Sequence, residues 1–239
     1  MRVNFHTHST MSDGRLSPRR LVSKLASDKV EVFALTDHDT LDGLKEARKA
    51  ATKKGIYFIN GIEITTKING LKIDLPNFDL YTLHILALGF DFERLTNSFA
   101  EGAHKRIPVD GLYNQHLDCF EIRDVVRMVH AAGGLVIWAH PYEILFDLIK
   151  RRTDESTIAK ISSELKRVGV DGIESFYSRY NDNQLKFLRE LQSKHKFIAS
   201  AGTDYHAVYE GDETYVDIDA SSIPEILSKL CLPRKKRKA

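Results

Sequence analysis

Short apolar runs alternate along this chain with longer stretches whose apolar positions recur every three or four residues. Runs of the first kind suit strands buried in a parallel sheet, and recurrence of the second kind is that of an amphipathic helix. Strands are expected from the N-terminus to about residue 5 and at 32–36, 57–64, 81–90, 135–139, 172–176 and 197–201. Pro18 opens a helix carrying Leu21, Val22 and Leu25 at helical spacing, and Gly55 stops a second over 42–54. Further helices are expected around Val125–Val129, closed by Gly133 and Gly134, and over 155–168, 181–195 and 223–230. Two stretches are less regular. In 65–80 the dipeptide Asn69-Gly70 marks a tight turn and Pro76 a break, and 91–120 reads as an irregular insertion with short helices. Strands alternating with helices predict a parallel α/β sheet, and seven such units in one domain predict a closed barrel.

Length and charge narrow this picture. A chain of 239 residues suits one barrel domain over 1–232, since barrels often run to roughly 200–250 residues. No apolar run approaches the ~18 residues of a membrane span, and the N-terminus lacks the layout of a secretory leader, so a cytoplasmic protein is expected. Cys119 and Cys231 follow no zinc or redox spacing and read as isolated thiols. The net charge of +2 owes much to a basic tail at 233–239, expected to be solvated and disordered. The nearly neutral body argues against a broad nucleic-acid platform and leaves room for a local anion pocket.

The chemistry sits at the strand ends. His6 and His8 are two residues apart in an extended segment, so their imidazoles point to one side and can share an ion. Asp13, His38, Glu63, Asp204 and His206 also fall at or just past predicted strand ends, and His140 precedes Pro141 there. His84 lies within the fourth strand, where it can face the barrel mouth. Six of the ten histidines are in this set, and histidines scattered for packing would not prefer one end of a barrel. Imidazole and carboxylate without thiolate suit zinc, manganese or iron. Nine such ligands suit two or three ions sharing a bridging carboxylate. Clustered ions acidify water, hold it in line and neutralise a leaving oxygen, which together suit phosphate ester hydrolysis by metal-bound hydroxide.

The strings HTHST with SDG, then TDHDT, GIEIT, WAHP and GTDYH resemble the signature motifs of the PHP (polymerase and histidinol phosphatase) superfamily, especially its stand-alone phosphoesterases. The likeness is dense over 1–64 and continues by motif over 130–206. It implies a distorted seven-stranded (β/α)7 TIM-like barrel with three divalent ions. By this similarity His6, His8, Glu63 and Asp204 hold one ion, Glu63 bridges to a second on His84 and His140, and Asp13, His38 and His206 hold the third. Asp13, His38, Glu63, Asp204 and His206 are then the candidate catalytic residues. Related phosphatases usually carry a longer helical insertion with phosphate-binding arginines before the AHP motif, where this chain offers Lys105 and Arg106.

Other residues receive plainer readings. Asp37 and Asp39 are expected to make turn or supporting hydrogen bonds, and His104, His116, His130 and His195 to be surface or packing residues. Arg179, just past the sixth strand, joins Lys105 and Arg106 as a candidate substrate contact, and Glu174 is expected to support the site without ligating. The expected substrate is a phosphomonoester of a nucleotide or small metabolite. The rivals are an exonuclease acting on short nucleic acid, for which the basic tail adds affinity, an amidohydrolase, whose barrel would not need Asp13 and His38, and a non-catalytic metal-binding module.

Overall fold

The computed structural model describes residues 1–68, 71–74, 81–101, 120–146 and 149–230. In it the apolar runs line up as neighbours of a barrel-shaped sheet. β1 (Arg2–Asn4), β2 (Val32–Leu35) and β3 (Tyr57–Lys67) pair in parallel. β4 (Tyr81–Leu88) runs antiparallel to β3 and to β6 (Leu135–Trp138), while β9 (Gly172–Tyr177) and β10 (Ile198–Gly202) resume the parallel direction. Three short strands decorate the rim: β5 (Phe120–Glu121) beside β3, and the hairpin β7 (Glu143–Phe146) and β8 (Ile149–Arg152) on β4. β11 (Val216–Asp217) pairs antiparallel with β1.

The expected all-parallel sheet is therefore corrected at β4. A parallel crossover needs a dozen or more residues, usually with a helix, and among the described residues none links β3 to β4. The reversal places the N-terminal half of β4 level with the C-terminal ends of its parallel neighbours. β3 also continues beyond the predicted end at Ile64 as far as Lys67. In the stretch read as irregular, Phe92–Glu101 forms a helix, while 102–119 and the tail at 233–239 lie outside the described residues.

Two apolar layers hold the barrel. The inner one takes Val3, Val32, Ala34, Ile59, Leu86, Leu88, Leu135, Ile137 and Ile198 from the strands and Phe5 just past β1, and is plugged by Ile226 of α7 (Pro224–Lys229) and by Ile223 just before it. The outer one packs α1 (Pro18–Ser27), α2 (Leu44–Lys54), α4 (Ile122–Ala131), α5 (Glu155–Val168) and α6 (Asp182–His195) on the opposite strand faces; α3 is Phe92–Glu101. Asp154 caps α5 through Thr157 N at 3.0 Å, and Asn181 with Gln184 closes a capping box on α6.

The barrel nearly closes where the two ends of the chain meet. Phe5 N donates to Ala201 O at 2.9 Å and Tyr205 N to His6 O at 3.2 Å. Buried Asn4 ties this seam: its side chain donates to Thr203 Oγ1 at 2.8 Å and Thr214 O at 3.0 Å, and accepts from His6 N at 3.0 Å and Thr203 N at 3.2 Å. Asn4→Ala leaves several buried groups unpaired, at about 1–3 kcal/mol each. The expected loss is about 3 kcal/mol, read as a lower urea midpoint with an unchanged slope.

Candidate metal centre

The strands deliver their polar residues to one end of the barrel. His6, His8 and Asp13 follow β1, and His38 follows β2, where it bridges to Glu63 of β3. His140 lies just beyond β6, and Asp204 and His206 just beyond β10. The reversal of β4 brings His84 to the same level from within a strand, opposite Thr65.

Glu63 is the common point. Its Oε2 lies 3.0 Å from His6 Nε2, 3.0 Å from His8 Nε2 and 3.3 Å from His38 Nδ1. Its Oε1 lies 2.9 Å from His84 Nδ1 and 3.0 Å from His140 Nε2. Asp204 Oδ1 stands 3.2 Å from His6 Nε2 and 3.1 Å from His8 Nε2. Asp13 reaches His206 Nε2 at 3.1 Å, His8 Nδ1 at 3.7 Å and His38 Nε2 at 3.8 Å. The possible ligand atoms form three overlapping groups, each within 4.8 Å: His6, His8, Glu63 and Asp204; His8, Asp13, His38 and His206; and His38, Glu63 and His84. His140 Nε2 borders the last, 3.3 Å from His84 Nδ1. All nine residues expected from the sequence thus meet in one place.

A ring of buried groups orients them. Glu174, fully buried, accepts from His140 N at 2.9 Å and faces His6 Nδ1 at 3.3 Å, which leaves His6 Nε2 turned toward Glu63 and Asp204. Gly202 makes room for this contact, since a Cβ there would strike Glu174 Oε1 and stand 2.6 Å from His6 Cβ. Tyr177 donates to Asp204 Oδ2 at 3.3 Å, and Arg179 Nη2 to Asp204 O at 3.0 Å. Asp37 accepts from Ser9 N, Ser9 Oγ and Ser12 Oγ at 2.6, 2.7 and 2.9 Å, and Asp39 accepts from Thr65 N and Oγ1 at 3.0 and 3.1 Å. Both therefore brace loops, as expected. His140 and Asp204 hold left-handed φ values of 26° and 51°, a strain that non-glycine residues keep where neighbours over-determine the backbone.

Burial and charge are delicately opposed here. Burial pulls His6 down, but Glu63, Glu174 and Asp204 more than offset it and raise its pKa well above the usual value. Burial likewise opposes His8, yet Asp204 and Glu63 bring it up to about 9. His38 goes the other way, to about 3, through burial and the neighbouring His8 and His84, against the pull of Glu63 and Asp13. Glu63 and Asp204 are held well below the carboxylate range by the imidazoles, which outweigh burial. The residues fit divalent cations: neither buried ring nitrogen of His8 makes a well-formed hydrogen bond despite its nearby carboxylates, and the donor set is nitrogen and oxygen alone.

A model of the PHP domain matches residues 4–219. This chain belongs to the PHP domain family. Among relatives of the PHP chain, a 5'-3' exoribonuclease of Haemophilus influenzae is 28% identical over 86% of this chain and 90% of its own. A 3',5'-nucleoside bisphosphate phosphatase of Chromobacterium violaceum is 25% identical over 87% and 88%. In fold, the PHP chain is similar to a Chromobacterium violaceum structure described as an amidohydrolase with bound sulfate and no metal, at a TM-score of 0.70 and 21% identity over 92% of each chain.

Other sequence candidates fall elsewhere. His130 pairs with Asp171 at 2.8 Å and His195 packs on Phe197, while His104, His116, Lys105 and Arg106 lie outside the described residues. Sequence reasoning passed over Asn4 and Tyr177; the polar Asn4 between Val3 and Phe5 was the available signal for the first.

Two outcomes are expected. Gly202→Ala displaces Glu174 and lowers divalent-ion affinity by about 10–100-fold, measured by competition with a chelating dye. In the metal-free PHP chain the protonated form of His8 is favoured by folding. Its contribution is complete below the unfolded value near 6.5 and is lost as pH rises through about 9. Thermal melts in EDTA should therefore fall in Tm across that window, and divalent ions should abolish the fall while releasing protons on binding.

Proposed function

We propose that this PHP chain is a cytoplasmic, metal-dependent phosphoesterase that hydrolyses a phosphomonoester of a nucleotide or small phosphorylated metabolite. The observation that carries the reading is three overlapping groups of imidazoles and carboxylates at one end of the barrel, two of them sharing Glu63. The names of the two relatives, a bisphosphate phosphatase and an exoribonuclease, support phosphoester chemistry. His6, His8, Glu63 and Asp204 would hold one divalent ion, Glu63 with His84 and His140 a second, and Asp13, His38 and His206 a third, each zinc, manganese or iron. Such ions supply Lewis-acid chemistry, acidifying water and neutralising charge on the leaving oxygen.

The protein's own groups do the rest. Glu174 fixes the ring of His6, and Tyr177 with the Arg179 backbone contact fixes Asp204. Exposure marks the entry side: Asp13 and Arg179 have side chains 37% and 46% exposed, whereas Glu63 and His6 are fully buried. A phosphate entering there meets the Arg179 guanidinium, which can bind its oxygens through two parallel N–H donors. Asp13, His38 and His206 belong to this open side, and an amidohydrolase would not need Asp13 and His38.

The oligonucleotide reading remains the second, supported by the name of the Haemophilus influenzae relative. A manganese- or zinc-supplemented screen of phosphorylated metabolites and short oligonucleotides tests both, with inorganic phosphate as the product of one and nucleotides as the product of the other. Asp204→Ala and Asp13→Ala should each lower kcat/KM by more than the roughly 10–100-fold seen for residues that merely orient ligands. Equal turnover by wild type and Asp204→Ala would end the proposal; survival of activity in Asp13→Ala would favour the amidohydrolase.

A further inference from the structure

Above the cluster, the inner wall of β3 and β4 carries a pair of polar groups without a partner among the described residues. The two strands pair without a slip from Gly61 opposite Leu88 to Lys67 opposite Thr82, so residues facing each other lie on one face of the sheet. On β3 that face carries Ile59 in the inner core, then Glu63 in the cluster, then Thr65, then Lys67. The intervening Ile62, Ile64 and Ile68 are buried in the outer layer. On β4 the same face carries Leu86, then His84, then Thr82. Lys67 and Thr82 thus form the next layer toward solvent, roughly 7 Å beyond the level of His84 and Thr65.

Among the described residues both groups lack partners. Thr82 is 6% exposed, and its buried hydroxyl makes no hydrogen bond among the described residues. Half-buried Lys67 forms no ion pair or side-chain hydrogen bond there either, although Glu121 is its register neighbour on β5. A buried hydroxyl without a partner is costly and therefore uncommon in a finished fold. An ammonium facing a hydroxyl, on a wall above a site for cations, is a fitting place for an anion.

We infer that Lys67 and Thr82 bind a second anionic group of the substrate, a phosphate distinct from the one being hydrolysed. The inference rests on the phosphoesterase reading for the first phosphate. Lys67 supplies the charge and Thr82 a directional O–H donor, and their height above His84 sets the spacing between the two phosphates. The substrate class is then a bisphosphorylated small molecule, or a strand end with its next phosphate, in preference to a compound with a single phosphate. Lys67 and Thr82 are specificity determinants and touch no reacting atom.

The test compares Lys67→Met, which keeps the aliphatic stem, and the near-isosteric Thr82→Val with wild type, all loaded with manganese. KM is measured for a nucleoside 3',5'-bisphosphate and for p-nitrophenyl phosphate, and pyrophosphate affinity by calorimetry. Lys67→Met should raise KM for the bisphosphate on the order of tenfold more than for the single phosphate, and weaken pyrophosphate binding by a similar factor. Thr82→Val should move both in the same direction by a smaller factor. Equal shifts for the two substrates, or no shift with unweakened pyrophosphate binding, would overturn the inference while leaving the phosphoesterase reading intact. If wild type hydrolyses neither substrate, that reading fails, and the pyrophosphate titration alone still decides the role of Lys67.

Discussion

One buried carboxylate, Glu63, meets five imidazoles within 3.3 Å, and the barrel is arranged to make that encounter. A carboxylate stripped of water is unfavourable unless positive charge stands beside it, and five neutral rings supply none. Either protons or cations must complete the cluster. The raised values of His6 and His8 and the lowered value of His38 show the proton solution to be uneven: the rings cannot all be charged at such close quarters. Divalent ions spread the positive charge among the donors without that repulsion.

Around this core the fold works as a rigid mount. Gly202 lets Glu174 press against His6, Asn4 holds the backbone of His6 and Thr203, and Asp37 keeps the Ser9–Ser12 loop in place below Asp13. None of these residues needs to touch an ion. Each removes a way in which a ligand could turn aside, so the site's geometry is set before anything enters it.

Much of this was legible from the residues. A parallel strand ends in a loop, and histidines or acids placed there have little structural work to do, so His6, His8, His38, Asp204 and His206 stand out. The apolar runs at 135–139 and 197–201 and the capped helices were equally plain. Less plain was the direction of β4, because direction is not written in periodicity; only the turn dipeptide Asn69-Gly70 hinted at a return. Lys67 was hidden for the same reason, since Thr65, Thr66 and Lys67 look like the start of a loop until the reversed β4 extends β3 beneath them. The β7–β8 hairpin escaped because its few apolar residues fit a helix as well as a strand.

The seam between β1 and the end of β10 has an implication for biosynthesis. His6 and Asp204 face one another although they lie far apart in the sequence. A nascent chain still on the ribosome has the first of these residues long before the second, so His6 and His8 have Glu63 as a neighbour well before Asp204 is made. A fragment ending before Asp204 can assemble His38, Glu63 and His84 but leaves the groups that use Asp204 and His206 incomplete.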